Sequence, residues 1–405
     1  MSLRKYLDKI KPNFEEGGKF HWLYSTYDAF ETFLYVPNTT SKSGVHIHDA
    51  RDSKRTMVIV ILALVPALLV GMYNVGYQHY LALGEASGLM QNFIYGLLAT
   101  LPQIVVSYVV GLGIEFAMAQ VKKEEVAEGF LVSGMLIPMI LPVDTPLWMI
   151  AVATAFSVVF AKEVFGGTGY NIFNVALIAR AFLFFAYPSH MSGDQVWVRT
   201  KSTFGLGGGD VVDGFSGATP LGQISVSDAS SFGDFAFHGI TNKPLELWDM
   251  FIGLIPGSFG EVSTLAILLG AALLIITGVG SWKTMLSVFI GGGATVLILN
   301  AFAANAIMAM PMQYHFLLGG FAFGAVFMAT DPVTSSRTEK GKWIFGFLIG
   351  ALAVLIRVFN PGYPEGMMLA ILFMNSFAPL IDFYVIDANI KKRQKRLAAS
   401  NVVKD

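Results

Sequence analysis

Long apolar runs separated by short polar segments occupy most of this sequence. Most runs approach the length of about 20 residues that a helix needs to cross the hydrocarbon core of a bilayer. We therefore predict an all-α polytopic membrane protein with about ten transmembrane helices. Glycine and proline shorten or interrupt several runs, notably around Pro138, Pro142 and Pro364. The ten runs are residues 57–76, 93–118, 129–141, 147–161, 172–187, 262–280, 285–303, 316–330, 343–359 and 367–385.

The distribution of lysine and arginine predicts the orientation of these helices. Cytoplasmic segments of membrane proteins carry an excess of both residues. With ten spans and both termini in the cytoplasm, the outer segments hold only Arg199, Lys201 and Lys243, all in one long loop. We predict a cytoplasmic amphipathic segment, a first membrane half, a periplasmic loop, a second membrane half and a basic cytoplasmic tail. Their boundaries are 1–55, 56–187, 188–255, 256–387 and 388–405.

Five predicted spans on each side of the long loop would place the two halves in opposite orientations. Pro142-Val143-Asp144 in the first half resembles Asp331-Pro332-Val333 in the second, and each half has a polar break before an Ala/Leu-rich run, at 171–180 and 360–372. These features fit a five-plus-five inverted repeat with cofactor or ion sites between the halves. Convergent membrane composition would produce the same similarity, so both interpretations stay open.

Composition narrows the chemistry. Of the 405 residues, 54% are hydrophobic and 14% are charged, against about 25% charged in soluble domains. The net charge of −1 gives no basic surface for nucleic acid. There is no cysteine, which excludes thiolate zinc sites and Cys-ligated iron–sulfur clusters within this chain. A redox role would therefore use an organic cofactor or a quinone.

The polar lead-in contains a predicted amphipathic helix and a pair of histidines. Aromatic and apolar residues recur on one helical face at Phe20, Leu23, Tyr27, Phe30 and Leu34. This face predicts either a helix in the membrane interface beside the entrance for a lipid-soluble substrate or a contact with a partner subunit. His46-Ile-His48-Asp49 has no further ligand nearby and is interpreted as a surface turn. No apolar run precedes Met57, so no cleavable signal peptide is expected.

Ionisable residues inside predicted spans are candidate functional groups because burying them in lipid is costly. Glu115 follows Gly111 and Gly113, and the three are predicted to share a helix face where a quinone ring would fit; helix–helix packing is the alternative. Arg180 is predicted either to stabilise a flavin phosphate or reduced ring, or to form an internal ion pair. Arg357 lies near the outer end of its predicted span, and extension of its side chain to the membrane interface is sufficient to explain it. Asp382 lies late in the tenth span, whereas Glu128, Glu163, Glu261 and Glu365 lie at span ends, where capping or exposure explains them.

The Gly/Ser-rich loop contains the sequence Asp213-Gly-Phe-Ser216-Gly217-Ala218-Thr219. Small neighbours leave the Thr219 hydroxyl accessible to a modifying enzyme. The sequence resembles the signature at which a flavin transferase joins FMN to threonine through its phosphate. That signature belongs to the B subunits of sodium-translocating NADH:quinone oxidoreductases and to the related D subunits of Rnf complexes.

Further blocks between about residues 55 and 385 resemble the B-subunit family. They begin at Ala161, Arg180, Ile255, Gly319 and Asn360, and the long lead-in resembles this family more than the Rnf relatives. One departure is Asn174-Val-Ala-Leu177, where the family often has Asn-Pro-Ala-Leu, which leaves the local helix break open.

The resemblance implies an integral subunit of a multi-subunit complex in the bacterial inner membrane. It implies covalent FMN on Thr219, non-covalent riboflavin and a ubiquinone site, with NADH oxidised by a partner subunit. Asp213, Ser216, Gly217 and Ala218 would form the attachment motif, and Asp382 and Glu163 are the sodium candidates. An Rnf-type ferredoxin:NAD subunit and an inverted-repeat transporter are the alternatives.

Overall fold

The computed structural model describes residues 3–15, 17–35, 43–45, 53–123, 126 and 129–402. Over these residues the fold is helical, and pairing between extended segments is limited to two isolated bridges, Thr203 with Leu206 and His238 with Pro244. The all-α prediction is confirmed for this part of the chain. His46, His48, Asp49 and Glu128 lie outside it.

The lead-in forms two helices, α1 (Leu3–Ile10) and α2 (Tyr24–Leu34). The first membrane half contains α3 to α7, and its fourth helix ends in a π-helical turn, Val158–Lys162. The long loop contains the short helices α8 and α9. The second half contains α10 to α15, with a π-helical turn at Gly324–Met328 after α13. The bounds are α3 Ser53–Ala82, α4 Leu89–Lys122, α5 Phe130–Met139, α6 Leu147–Ser157, α7 Val175–Ala186, α8 Pro220–Ser225, α9 Leu247–Ile252, α10 Thr264–Ile276, α11 Trp282–Ala301, α12 Met312–Leu317, α13 Phe321–Phe323, α14 Glu339–Phe359 and α15 Met367–Val402.

Each of the ten predicted runs coincides with a helix or a broken series of helices. Within the described residues, six helices are long and apolar enough to cross a membrane, and α5, α7 and α10 are shorter apolar helices. The ten residues of α5 extend only about 15 Å, half the hydrocarbon thickness. The run 316–330 is broken because Gly319 and Gly320 adopt left-handed φ angles of +64° and +67° between α12 and α13.

Close helix contacts depend on missing side chains. A Cβ on Gly96 of α4 would lie 1.7 Å from the carbonyl oxygen of Met72 on α3, and one on Gly350 of α14 would lie 1.9 Å from that of Val288 on α11. Small residues at such crossings let membrane helices approach until their backbones touch. These two contacts set the spacing of one helix pair in each half.

The start of α7 shows how the helix begins at Val175, where the related sequences often have proline. Asn174 is the N-cap, with its Oδ1 accepting from Ala176 N at 3.1 Å and Leu177 N at 3.2 Å. The preceding residues are non-helical, so the break occurs without proline. The Asn174 Nδ2 donates to Asp331 Oδ2 at 3.2 Å, which ties the start of α7 to the second half.

The lead-in differs from its predicted pattern. Phe20 precedes α2, and Phe30 is 57% exposed, whereas Tyr27 is buried and donates to Leu7 O of α1 at 2.9 Å. Glu31, which the sequence pattern missed, is buried and accepts from Lys11 Nζ at 3.0 Å. This hydrogen bond raises the pKa of Lys11. The buried face of α2 therefore packs against the preceding part of the lead-in, and the aromatic side chains on its other face are exposed.

Candidate functional site

Thr219 lies at the N-cap of α8 in the long loop. Its Oγ1 accepts a hydrogen bond from Gly222 N at 3.1 Å, and Pro220 occupies the first helical position. Proline is favoured there because its missing N–H would have had no helical partner. The side chain is half-buried. A capping hydroxyl still has its own proton and a second lone pair, so Thr219 is held in a defined geometry with its oxygen available for chemistry.

The residues before Thr219 form a tight turn. A Cβ at buried Gly217 would lie 2.5 Å from Asp194 O, so a larger residue there would force the backbone apart. Ser216 Oγ accepts from Ala218 N at 3.4 Å. Asp213 is exposed at the edge of this turn. Ser216, Gly217 and Ala218 directly precede Thr219, and Ser216 is bonded to the backbone of Ala218, whereas Asp213 makes no hydrogen bond to Thr219 within the part of the chain that the structure describes.

Gln223 is a residue of this loop that the sequence pattern did not identify. Its Nε2 donates to Ala218 O at 3.2 Å and to His238 O at 2.7 Å, and its Oε1 accepts from His238 N at 3.0 Å. One side chain therefore joins the Thr219 turn to the later part of the loop. Only its position four residues after Thr219, on the next turn of α8, would have suggested it.

Thr219 borders a small cleft formed by the second half. Glu261 and Glu365 line this cleft together with the Gly319–Gly320 turn. Leu221 packs tightly on Gly319, where a Cβ would lie 2.2 Å from the leucine Cδ1. The loop threonine thus shares a cleft with two carboxylates and the non-helical backbone of the Gly319–Gly320 turn.

Arg180 forms the internal ion pair that was one of its two predicted roles. Its NH1 donates to Glu261 Oε1 at 2.8 Å, and its NH2 contacts Glu365 Oε2. The guanidinium is buried, and the two acid side chains are only 9% and 12% exposed. The interpretation of Glu261 and Glu365 as exposed or capping groups is therefore wrong. Arg180 reaches the Thr219 cleft through these two partners.

Arg357 does not extend to a membrane interface. It is fully buried, and its guanidinium donates to the carbonyl oxygens of His315 at 2.6 Å, Leu318 at 3.1 Å and Pro364 at 3.2 Å. The non-helical backbone around Gly319 and before α15 leaves carbonyls without helical partners, and the arginine supplies donors to them. The predicted extension was wrong because the helix break created a buried binding place for the side chain.

A larger cavity of about 350 Å³ lies at the start of α7, where the two halves meet. This volume is in the range of small-molecule sites. Thr168 Oγ1 is buried in its wall without a hydrogen-bond partner among the described residues. The wall combines polar residues (Ser133, Lys162, Thr168, Asn171, Asn174, Thr330 and Asp331) with apolar ones, including Leu136, Leu274 and Phe327. A mostly apolar pocket with a few amides and hydroxyls is typical of small-molecule sites.

The predicted face with Gly111 and Glu115 is only partly formed. Both residues are buried, whereas Gly113 is exposed and points elsewhere. A Cβ on Gly111 would lie 1.8 Å from the Phe130 ring, so this glycine serves helix packing. Glu115 Oε1 contacts the Nζ of Lys162, and both side chains are 4% exposed. Glu115 therefore faces the π-helical turn that follows α6.

The two sodium candidates have different surroundings. Glu163 Oε2 accepts from Lys122 Nζ at 2.8 Å, so a lysine neutralises its charge. Asp382 instead accepts from the hydroxyls of Ser336 and Thr338, each at 2.6 Å, and from Arg337 N at 2.8 Å. Among the described residues, no group of three or more His, Cys, Asp or Glu side chains is arranged to hold a metal ion.

Comparison with known proteins identifies the family. The sequence profile of the NQR2, RnfD, RnfE family matches residues 40–391. The chain belongs to this family. Its relatives from Chromohalobacter salexigens, Ectopseudomonas mendocina and Pseudoalteromonas atlantica are 44%, 46% and 44% identical over 98% of this chain and 98–100% of theirs. Each is named as the B subunit of a Na(+)-translocating NADH-quinone reductase. The predicted family is thus confirmed, and the similarity includes the lead-in.

Proposed function

We propose that this chain is the membrane subunit of a sodium-pumping NADH:ubiquinone oxidoreductase that carries covalent FMN and riboflavin. The observation that carries the proposal is 44–46% identity, over nearly the whole length, to relatives named as the B subunit of the sodium-translocating enzyme. The Asp213–Thr219 motif adds the expected place for FMN. Partner subunits would oxidise NADH and hold the iron–sulfur centres, since this chain has no cysteine.

The proposed topology has ten spans, with both termini in the cytoplasm of a bacterium and the Thr219 loop in the periplasm. Asp144, just after α5, supports it by bonding to two residues of that loop, Arg199 at 3.0 Å and Lys201 at 2.9 Å. The end of α5 and the long loop therefore lie on one side. The short helix α5 and the interrupted α12–α13 segment hold the same place in their halves, which favours the inverted repeat.

At the proposed FMN site the protein fixes where the cofactor is attached. Thr219 Oγ1 would be joined to the phosphate by a dedicated flavin transferase, which would reach the half-buried hydroxyl at the start of α8. Bound FMN supplies one- and two-electron redox chemistry. Glu261 and Glu365 carry two negative charges, and Arg180 carries one positive charge. The net negative charge of this cluster would repel a phosphate and so keep it at the rim of the cleft. Covalent attachment would also prevent its loss to the periplasm.

Riboflavin would occupy the cavity at the start of α7. The Thr168 hydroxyl, which has no partner among the described residues, and the amide of Asn171 would bind the polar edge of the ring, and Phe327 would cover its apolar part. The two flavins would supply one-electron redox chemistry. The proposed ubiquinone site lies near Glu115, beside the exposed aromatic side chains of α2, whereas the space at Gly111 is filled by Phe130. Phe30 of α2 supports this location because its ring lies 6.2 Å from that of Phe116.

Sodium export would be coupled to these steps through acids near the inner ends of the helices. Asp382 suits this role better than Glu163 because its carboxylate, a ligand type for hard cations, is surrounded by neutral hydroxyl and amide donors, whereas Glu163 is paired with Lys122.

Mass spectrometry of the purified native complex tests the proposal. The peptide containing Thr219 is expected to carry the mass of FMN, and acid precipitation is expected to release riboflavin. An unmodified peptide in active enzyme would contradict the flavin-subunit assignment and leave a transporter of the inverted-repeat type as the better candidate. Reduction of NAD by ferredoxin would instead favour the Rnf-type alternative.

A further inference from the structure

The buried ion pair of Lys162 with Glu115 lies in the wall of the inner cavity. Lys162 is one of the cavity-lining residues, and its ammonium contacts Glu115 Oε1 on α4. Lys162 is also the last residue of the π-helical turn Val158–Lys162. Such turns often occur at functional sites because the inserted residue changes the direction of the following side chains.

Among the described residues that line the cavity, the other charged one, Asp331, is already supplied with hydrogen bonds. Asp331 accepts from Val333 N at 2.9 Å, Thr334 Oγ1 at 3.1 Å and Asn174 Nδ2 at 3.2 Å. The Lys162 ammonium has three N–H donors, and the Glu115 contact uses one of them. Among the described lining residues, Lys162 therefore provides the positive charge that a ligand in this cavity would meet.

We propose that the Lys162 ammonium stabilises the reduced form of a flavin bound in the cavity, and that the negative charge of Glu115 weakens this effect. The inference rests on the riboflavin site proposed above. Reduction increases the negative charge on the ring, and a cation in a low-dielectric wall stabilises that charge. Glu115 competes for the same ammonium from the side of α4. Because Glu115 is also the candidate quinone group, the ion pair connects the cavity with the proposed quinone face.

The two partners give redox shifts of opposite sign. Lys162→Met removes the cation and is expected to lower the midpoint potential of the non-covalent flavin. Glu115→Gln keeps a similar shape but removes the competing charge, and is expected to raise it. A tenfold change in the preference for the reduced form corresponds to about 59 mV for one electron. A purely structural role would not reverse the sign between these variants.

Redox titration of the complete complex, followed by absorbance, measures these potentials. Lys122→Met is the matched control, because it breaks a neighbouring ion pair with Glu163 whose lysine does not line the cavity. It should leave the potential unchanged. Lys162→Arg keeps the charge and should stay close to the wild type.

The first measurement is the riboflavin released from the wild-type complex by acid. If none is released, the proposed function fails. If riboflavin is present but Lys162→Met and Lys122→Met give the same potential, the role of Lys162 is overturned. Should Lys162→Met lose its flavin, Glu115→Gln decides, since an unchanged or lowered potential in that variant also contradicts the inference.

Discussion

Arg180 on α7 donates to Glu261 Oε1 at 2.8 Å and thereby joins the first membrane half to the start of the second. Its other amino group contacts Glu365, just before α15. One arginine thus holds two segments of the second half, and both acids line the cleft beside Thr219. The stability of this contact and the geometry of the proposed flavin site are therefore linked.

Arg180→Met is expected to destabilise the protein strongly. Removing one partner of a buried ion pair leaves uncompensated charge and costs about 3–5 kcal/mol. A lowered thermal midpoint of the detergent-solubilised complex would show this. Lys283→Met is the matched control, because it breaks an ion pair with Glu339, whose side chain is 63% exposed. Exposed pairs contribute about 0–1 kcal/mol, so equal losses in the two variants would contradict the proposed importance of Arg180.

Thr219→Ala is expected to abolish the fluorescence of the denatured subunit under ultraviolet light. The hydroxyl oxygen is the only atom of this side chain that can form the phosphoester. Thr219→Ser keeps both the oxygen and the N-cap, so it is expected to retain measurable fluorescence. A fluorescent Thr219→Ala band would place the covalent flavin elsewhere.

Gly217→Ala is expected to leave part of the protein without covalent flavin. The added Cβ would lie 2.5 Å from Asp194 O and would push the turn away from its present position. Gly209→Ala is a control in the same loop, since its Cβ would approach only Leu83 Cδ2 at 3.6 Å. In-gel fluorescence per amount of subunit measures the difference. Full modification of Gly217→Ala would show that the transferase tolerates a displaced turn.

The proposed topology predicts opposite labelling of two single-cysteine variants. The chain contains no cysteine of its own, so each variant has one thiol. Val226 follows α8 in the long loop and is 78% exposed, and Leu397 lies in the basic tail and is 67% exposed. An impermeant maleimide added to intact cells is expected to label Val226→Cys only. Labelling of Leu397→Cys alone would show that the chain has the opposite orientation in the membrane.

Much of this fold was predictable from the sequence because most of its helices correspond to long apolar runs. All ten predicted runs coincide with helices, but their ends depend on contacts that a pattern does not contain. The α15 helix continues to Val402, well past the end of the apolar run at residue 385, because polar residues can extend a helix into water. The sequence did not predict the helix break at Gly319 and Gly320, because their left-handed φ angles are known only from the structure. The buried position of Arg357 depends on that break.

The candidate site was predictable in part for the same reason. Thr219 and its small neighbours form a local motif, so their grouping follows from sequence alone. The contacts of Arg180 with Glu261 and Glu365, and of Lys162 with Glu115, join residues far apart in the chain, and one sequence contains no measure of such distances. Gly113 was wrongly placed beside Glu115 because residues two positions apart do not share a helix face.

Sodium dependence separates the two acidic candidates. Asp382→Asn removes a negative charge surrounded by the hydroxyls of Ser336 and Thr338, so we expect the sodium concentration for half-maximal quinone reduction to rise. Glu163→Gln removes a charge that Lys122 already balances, and its sodium dependence is expected to stay close to the wild type. Quinone reduction by the complete complex at varied sodium and constant ionic strength makes the comparison. A rise for Glu163→Gln with none for Asp382→Asn would reverse the assignment. If Asp382→Asn changes only the thermal midpoint, its carboxylate serves to hold the loop before α14 in place.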